Sequence, residues 1–95
     1  MIQNLNKAFE NRIRLGIMSL LMVNDEVEFK TAKEMLQVTD GNLASHTNSL
    51  EKLEYITVIK EFVGKKPRTS YKATPEGRKA FTAHIDALEN LLKNQ

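Results

Sequence analysis

Two close pairs in this chain contain residue types of catalysis, Ser45-His46 and His84-x-Asp86. Neighbouring positions on a helix diverge by about 100° around its axis, so the Ser45 hydroxyl and the His46 ring cannot act together as nucleophile and base. His84 and Asp86 diverge further still. The sequence has no cysteine, no glycine-rich phosphate loop and no metal-ligand spacing of His, Asp and Glu. No catalytic residue, metal ligand or cofactor is therefore assigned, and the pattern argues against an enzyme. His46 lies beside the apolar positions Leu43 and Leu50, where a packed ring is the plain alternative.

The chemistry that the sequence does offer is hydrogen bonding from a polar helix. Residues 39–55, TDGNLASHTNSLEKLEY, place Leu43, Thr47, Leu50 and Leu53 at helical spacing, behind Thr39 and Asp40 as N-cap types and Gly41 as a permissive opening. The other face carries Asn42, Ser45, Asn48 and Ser49, all too short for a lattice of surface ion pairs. Short amides and hydroxyls are what a helix presents where base edges must approach: Asn bonds adenine through two hydrogen bonds, and Ser bonds bases or phosphate oxygens. An ordinary amphipathic helix with a Ser- and Asn-rich outer face is the bland alternative.

A second resource is positive charge. The chain of 95 residues has a net charge of only +2, but residues 60–79 hold seven cations against Glu61 and Glu76. Gly64-Lys65-Lys66-Pro67-Arg68 concentrates three of them in a stretch that proline stiffens. Basic side chains grouped in this way suit a phosphate backbone.

Other elements must position these groups. Residues 2–23 carry apolar side chains at spacings mostly of three and four, which predicts one long helix or, preferably, two helices meeting near Asn11. Asn24-Asp25 ends it. Residues 27–30 alternate like a brief strand, and Thr31 with Glu34 forms a capping-box pattern for a helix over 32–36 or 32–38 with Met35, Leu36 and Val38 inward. Next comes the polar helix, at helix-turn-helix spacing. From residue 56 the period becomes that of strands: a first strand to about 62, a turn-like 63–68 and a second strand over 69–73 make a hairpin. Thr74-Pro75-Glu76 opens the last helix. Its Phe81, Ile85, Leu88 and Leu92 form a short coiled-coil-like seam. With Leu5 and Phe9 of the apolar N-terminal segment, that seam predicts a homodimer.

With 41% hydrophobic and 27% charged residues, the composition fits one globular domain. It has neither an apolar run long enough to span a bilayer nor a secretory signal, so no membrane is expected and the cytoplasm is the default.

The order helix, short strand, helix, polar helix, cationic hairpin and final helix resembles the small single-domain winged helix-turn-helix transcriptional regulators of the MarR and ArsR type. The likeness is carried by Arg14-Leu15, Ile17-Met18 and Leu20-Leu21, by LASHTNSLEKLEYI at 43–56, and most specifically by GKKPRTSYKATPEGRKAF at 64–81. It implies a mainly α chain with a small β-hairpin (α+β), whose single domain over 1–95 comprises a recognition helix at 39–55, a wing hairpin at 56–73 and a C-terminal dimerisation helix at 74–95.

The resemblance further implies double-stranded DNA as the partner. Asn42, Ser45 and Asn48 become candidate base contacts, Thr39 and His46 contacts to phosphate or at the helix flank, and Lys65, Lys66 and Arg68 the wing contacts. Two departures stand out. Lys52 is the recognition helix's only cation against Asp40, Glu51 and Glu54, and the thiolates of metal-sensing relatives are missing. The identity of any small-molecule effector is not written in the residues. A winged-helix adaptor for another protein is the alternative function, disfavoured by the cations of the wing.

Overall fold

The computed structural model describes residues 2–93. Residues 2–9 form two short 3-10 turns, Ile2–Asn4 and Lys7–Phe9, and α1 then spans Arg12–Val23. The break falls at Asn11, whose side-chain oxygen accepts the amides of Ile13 and Arg14 at 2.9 and 3.1 Å. Asn6 accepts the amide of Ala8 in the same way. Two asparagines this close divert backbone donors before an α-helix can nucleate, so the helical periodicity ahead of Asn11 is realised as 3-10 turns.

The strand β1 is only Val27–Glu28, and α2 occupies Phe29–Leu36. This corrects the predicted start at Ala32 behind a Thr31 cap: the helix begins three residues earlier, with Glu28 at the N-cap and no side-chain cap bond. Half-buried Phe29 packs on the core, so burial decides the start and the capping-box pattern goes unused. Met35, expected inside, is 62% exposed. Gln37, left-handed at φ 54°, ends α2.

The helix α3 spans Asp40–Lys52, with the Thr39 hydroxyl accepting the amide of Asn42 at 3.1 Å. Leu43, Thr47 and Leu50 are buried, whereas Leu53, predicted on the same face, is the C-cap and stands exposed. Glu54 turns the chain at φ 64° into the antiparallel strands β2, Ile56–Val63, and β3, Lys66–Ala73. Val63 pairs with Lys66 and Phe62 with Pro67, so the turn is the two residues Gly64-Lys65 and not the six expected. Gly64, at φ 66°, suits that tight reversal. The sheet order is β1-β3-β2, and β1 reaches only Ser70 and Tyr71. Pro67 thus sits where β3 has one neighbour, a place where a sheet tolerates proline.

The last helix, α4, spans Pro75–Lys93; the final two residues of its predicted range lie outside the described residues. Its start is clamped to the end of α3. The Thr74 hydroxyl donates to the Glu54 carbonyl at 2.6 Å and accepts the Gly77 amide at 2.9 Å, while the Thr74 amide donates to the Tyr55 carbonyl at 3.0 Å. Gly77 lies so near that carbonyl that any Cβ would collide with it.

Ile17, Met18 and Leu21 of α1 form the core with Ala32, Leu43, Leu50, Ile56, Tyr71, Phe9 and Phe81. Phe9 stacks on Tyr55 and meets Phe81 edge to face at 5.1 Å between ring centres. Asn6 donates its amide to Nδ1 of buried His84 at 2.9 Å. The N-terminal segment therefore packs on α4 of its own chain. This corrects two dimer candidates, because Phe9 and Phe81 are 2% and 6% exposed within one protomer. Leu5 and Ile85 are half-buried, and Leu88 and Leu92 remain exposed. No helix among the described residues is long and apolar enough to cross a membrane. The architecture is α+β: the described residues form four α-helices and a three-stranded antiparallel sheet, arranged as a winged helix.

Candidate nucleic-acid interface

The inner side of α3 is sealed and its outer side is open. Leu43 and Leu50 are completely buried and Thr47 nearly so, while Asn42, Ser45 and Asn48 are exposed, spaced by three along the opposite face. Among the described residues these three side chains make no hydrogen bond to another side chain, so their polar atoms are open to an incoming surface. Ser49 is half-buried and spends its hydroxyl on the Ser45 carbonyl at 3.2 Å. Apart from its chain neighbours and the adjacent backbone of its own helix, nothing among the described residues comes within 4 Å of where a Cβ on Gly41 would stand, which leaves the first turn open to close approach. Asp40 meets Lys33 at 2.7 Å, reducing the negative charge at the helix's leading end.

His46 faces inward along the side of the helix. Its Nδ1 accepts from Nη1 of Arg14 at 3.1 Å, and since guanidinium only donates, the ring is held neutral with its proton on Nε2. Burial, with the Arg14 charge beside it, keeps the imidazole below its ordinary range. Arg14 also donates Nε to the Ala8 carbonyl at 2.6 Å. Thr39, another flank candidate, is exposed at the N-cap, where its hydroxyl is already used by the Asn42 amide.

The basic segment at 60–79 divides by role. Arg78 donates to the Met22 and Leu21 carbonyls at 3.3 and 3.2 Å, closing the C-terminal end of α1, where a cation is favoured. Arg68 is not at the wing's tip. It lies within β3, its Nη atoms 3.2 Å from Glu28, 3.8 Å from Glu26 and 3.9 Å from Glu61, while its buried Nε has no hydrogen-bond partner. Ser70 donates to Glu26 at 2.7 Å in the same cluster. Arg68 thus braces all three strands, and its charge is already answered by carboxylates that the sequence sets far away or across the hairpin. Lys65 and Lys66 are exposed and have no ion pair among the described residues.

Two features escaped the sequence reading. Phe62, read there as the end of a strand, and Val63, read as the start of the turn, are 75% and 55% exposed beside the lysines, so the wing tip is apolar as well as cationic. Lys30, at the start of α2, lines with Lys66 and Thr69 a cleft of about 510 Å³ between that helix and the wing. The strand alternation concealed the first. The second joins segments distant in sequence, which no local pattern signals.

Residues 13–92 match the family described as "Winged helix DNA-binding domain". An uncharacterized protein of Methanocaldococcus jannaschii is 35% identical over 88 residues, which cover 93% of this chain and 96% of that one. The structure of a transcriptional regulator homologue from Pyrococcus horikoshii superposes with a TM-score of 0.85 at 28% identity, covering 92% of this chain and 86% of that one. NadR, solved in complex with 4-hydroxyphenylacetate, shares the fold, with a TM-score of 0.68 at 24% identity over 95% of this chain and 68% of that one. An exposed amide and hydroxyl face on α3, a lysine-tipped hairpin and a family match over most of the chain agree, and the chain belongs to the winged helix DNA-binding domain family.

Proposed function

We propose that this protein is a cytoplasmic, homodimeric transcriptional regulator that binds an inverted-repeat operator in double-stranded DNA. In this reading α3 enters the major groove, with Asn42 and Ser45 nearest the base edges and Asn48 one turn further along. Thr39 lies at the phosphate flank. Lys65 and Lys66 hold the backbone or the adjacent minor groove, with Phe62 against the sugars. Arg68 orients the wing from within, and His46 supports α3 from its inner flank. Exposed Leu88 and Leu92, with half-buried Ile85 and Leu5, form the contact between protomers. A small-molecule effector belongs to the same reading, as NadR is solved with 4-hydroxyphenylacetate.

The observation that carries the proposal is the division of α3 into a buried apolar face and an open face of short polar side chains. Site selection from random duplex DNA tests it. A bidentate Asn contact is worth about 1–3 kcal/mol against a wrong base, so Asn42→Ala is expected to relax the consensus at fixed positions while non-specific binding persists. An unchanged consensus in both Asn42→Ala and Ser45→Ala proteins would remove base reading by α3. The exposed Phe62 and Val63 favour the adaptor as the second reading, in which case no DNA is selected at all.

A further inference from the structure

A second concentration of uncompensated cations lies away from the wing. The 3-10 turn at Lys7–Phe9, the start of α1 and the last turn of α3 border a shallow, open recess of about 520 Å³. Lys7, Arg14 and Lys52 line it, and no carboxylate does; Glu10, Glu51 and Glu54 are near in sequence but outside the lining. Neither lysine makes an ion pair among the described residues. Arg14 is pre-oriented, because Nε and Nη1 are fixed by the Ala8 carbonyl and by His46, while Nη2 makes no hydrogen bond among the described residues. The Tyr55 hydroxyl accepts from Nδ2 of Asn6 at 3.1 Å and so retains its own proton to donate. The negative end of the α3 dipole opposes an anion here. Its last carbonyls are, however, capped by the amides of Leu53, Glu54 and Tyr55, which weakens that field.

We propose that this recess binds a small phosphomonoester, its dianionic phosphoryl group held by Lys7, Arg14 and Lys52 and its organic body laid along Leu53 and Tyr55. Three positive charges around one recess match a dianion better than a monocarboxylate, and the guanidinium fork suits phosphoryl oxygens. A recess walled on one side by the N-terminal turn takes a single compact group, whereas a duplex backbone presents a line of monoanionic phosphates. Occupation bears on α3 directly. Arg14 holds both the recess and His46, and Asn6 joins the recess to α4 through His84. A change in operator affinity on binding rests on the regulator reading above; the binding itself does not.

The test uses phenyl phosphate as the probe, with phenyl sulfate and benzoate as monoanionic controls, on the full chain followed by NMR. Saturable shifts at Lys52 and Tyr55 are expected with phenyl phosphate, at least ten-fold tighter than with either control. The His46 ring titration is expected to move upward, because the bound dianion offsets the Arg14 charge. The double variant Lys7→Ala/Lys52→Ala, which removes no core contact, is expected to lose at least ten-fold in affinity with its circular dichroism unchanged. Lys66→Ala is expected to bind as the parent does. Equal binding of the three probes, or an unaltered affinity in the double variant, overturns the site. Stoichiometric displacement of the probe by any short duplex would assign the cations to the DNA backbone and also overturn it. Probe binding that leaves operator affinity unchanged would retain the site and refute only its regulatory role.

Discussion

The guanidinium of Arg14 donates to Nδ1 of His46 at 3.1 Å, joining α1 to the side of α3. Burial and then the Arg14 charge lower the pKa of His46 in the folded chain below 6.5, its value when unfolded. The unfolded state therefore binds the extra proton first. The stability contributed by neutral His46 is fully present above pH 6.5 and is lost as the pH falls through the folded value. Urea midpoints measured between pH 8 and pH 5 are expected to fall over that window, and more shallowly in His46→Gln. Equal slopes in the two proteins would show that the pair carries no such linkage.

Gly77 abuts the Tyr55 carbonyl with no space for a side chain, whereas Gly41 faces open space. Gly77→Ala must displace backbone rather than a flexible side-chain end and is expected to cost about 3 kcal/mol, the upper end of overpacking penalties. Gly41→Ala is expected to leave the urea midpoint unchanged or raise it. Comparable midpoints for the two variants would contradict the close approach of α4 to residue 55.

The wing separates Lys65 and Lys66, the proposed DNA contacts, from Arg68, which holds strands together. Each phosphate neutralised contributes about 0.9 to the slope of log affinity against log salt, so Lys65→Ala and Lys66→Ala should each flatten the slope by about 2 in a dimer. Arg68→Ala is expected to behave differently. It leaves Glu26, Glu28 and Glu61 without their common cation, and in this partly exposed cluster costs about 1 kcal/mol of stability. Affinity should drop through a misplaced, more negative wing with little change in slope. Salt titrations in which Arg68→Ala flattens the slope as the lysine variants do would return Arg68 to the phosphate contacts.

Leu88 and Leu92 are exposed in the single chain and Phe81 is not, which allows assembly and folding to be tested apart. Leu88→Asp/Leu92→Asp is expected to sediment as a folded monomer. Phe81→Ala, which empties a core position, should lose about 3–5 kcal/mol whatever the assembly state. A parent protein that is monomeric at micromolar concentration would remove the proposed contact.

What the sequence disclosed depended on how local its cause was. The buried face of α3 follows from Leu43, Thr47 and Leu50 at helical spacing, and the start of α4 from Thr74-Pro75, because neighbours in sequence settle both. Thr31 misled, since Phe29 found the core two residues earlier and burial outweighed a cap. The role of Arg68 was illegible for a different reason: its carboxylates come from β2 and from around β1, and only the sheet brings them together. Phe81 of the apolar seam and Phe9 of the N-terminal segment, both expected at a dimer contact, found each other rather than a second copy. Periodicity states that a face is apolar and is silent on what covers it.

The clamp at Thr74, which ties Glu54 and Tyr55 to the first turn of α4, would make the proposed operator a matter of phase. If α4 carries the protomer contact and α3 reads the groove, a rigid joint between them leaves the two reading heads little freedom to swivel. One base pair added between half-sites rotates one against the other by about 35°, given 10–10.5 base pairs per turn. A hinge would absorb that rotation, but a joint locked by two hydroxyl bonds, an amide bond and a glycine contact passes it to the DNA as twist. Tolerance to altered spacing is then set by the torsional stiffness of the duplex, and the protein acts as a fixed gauge.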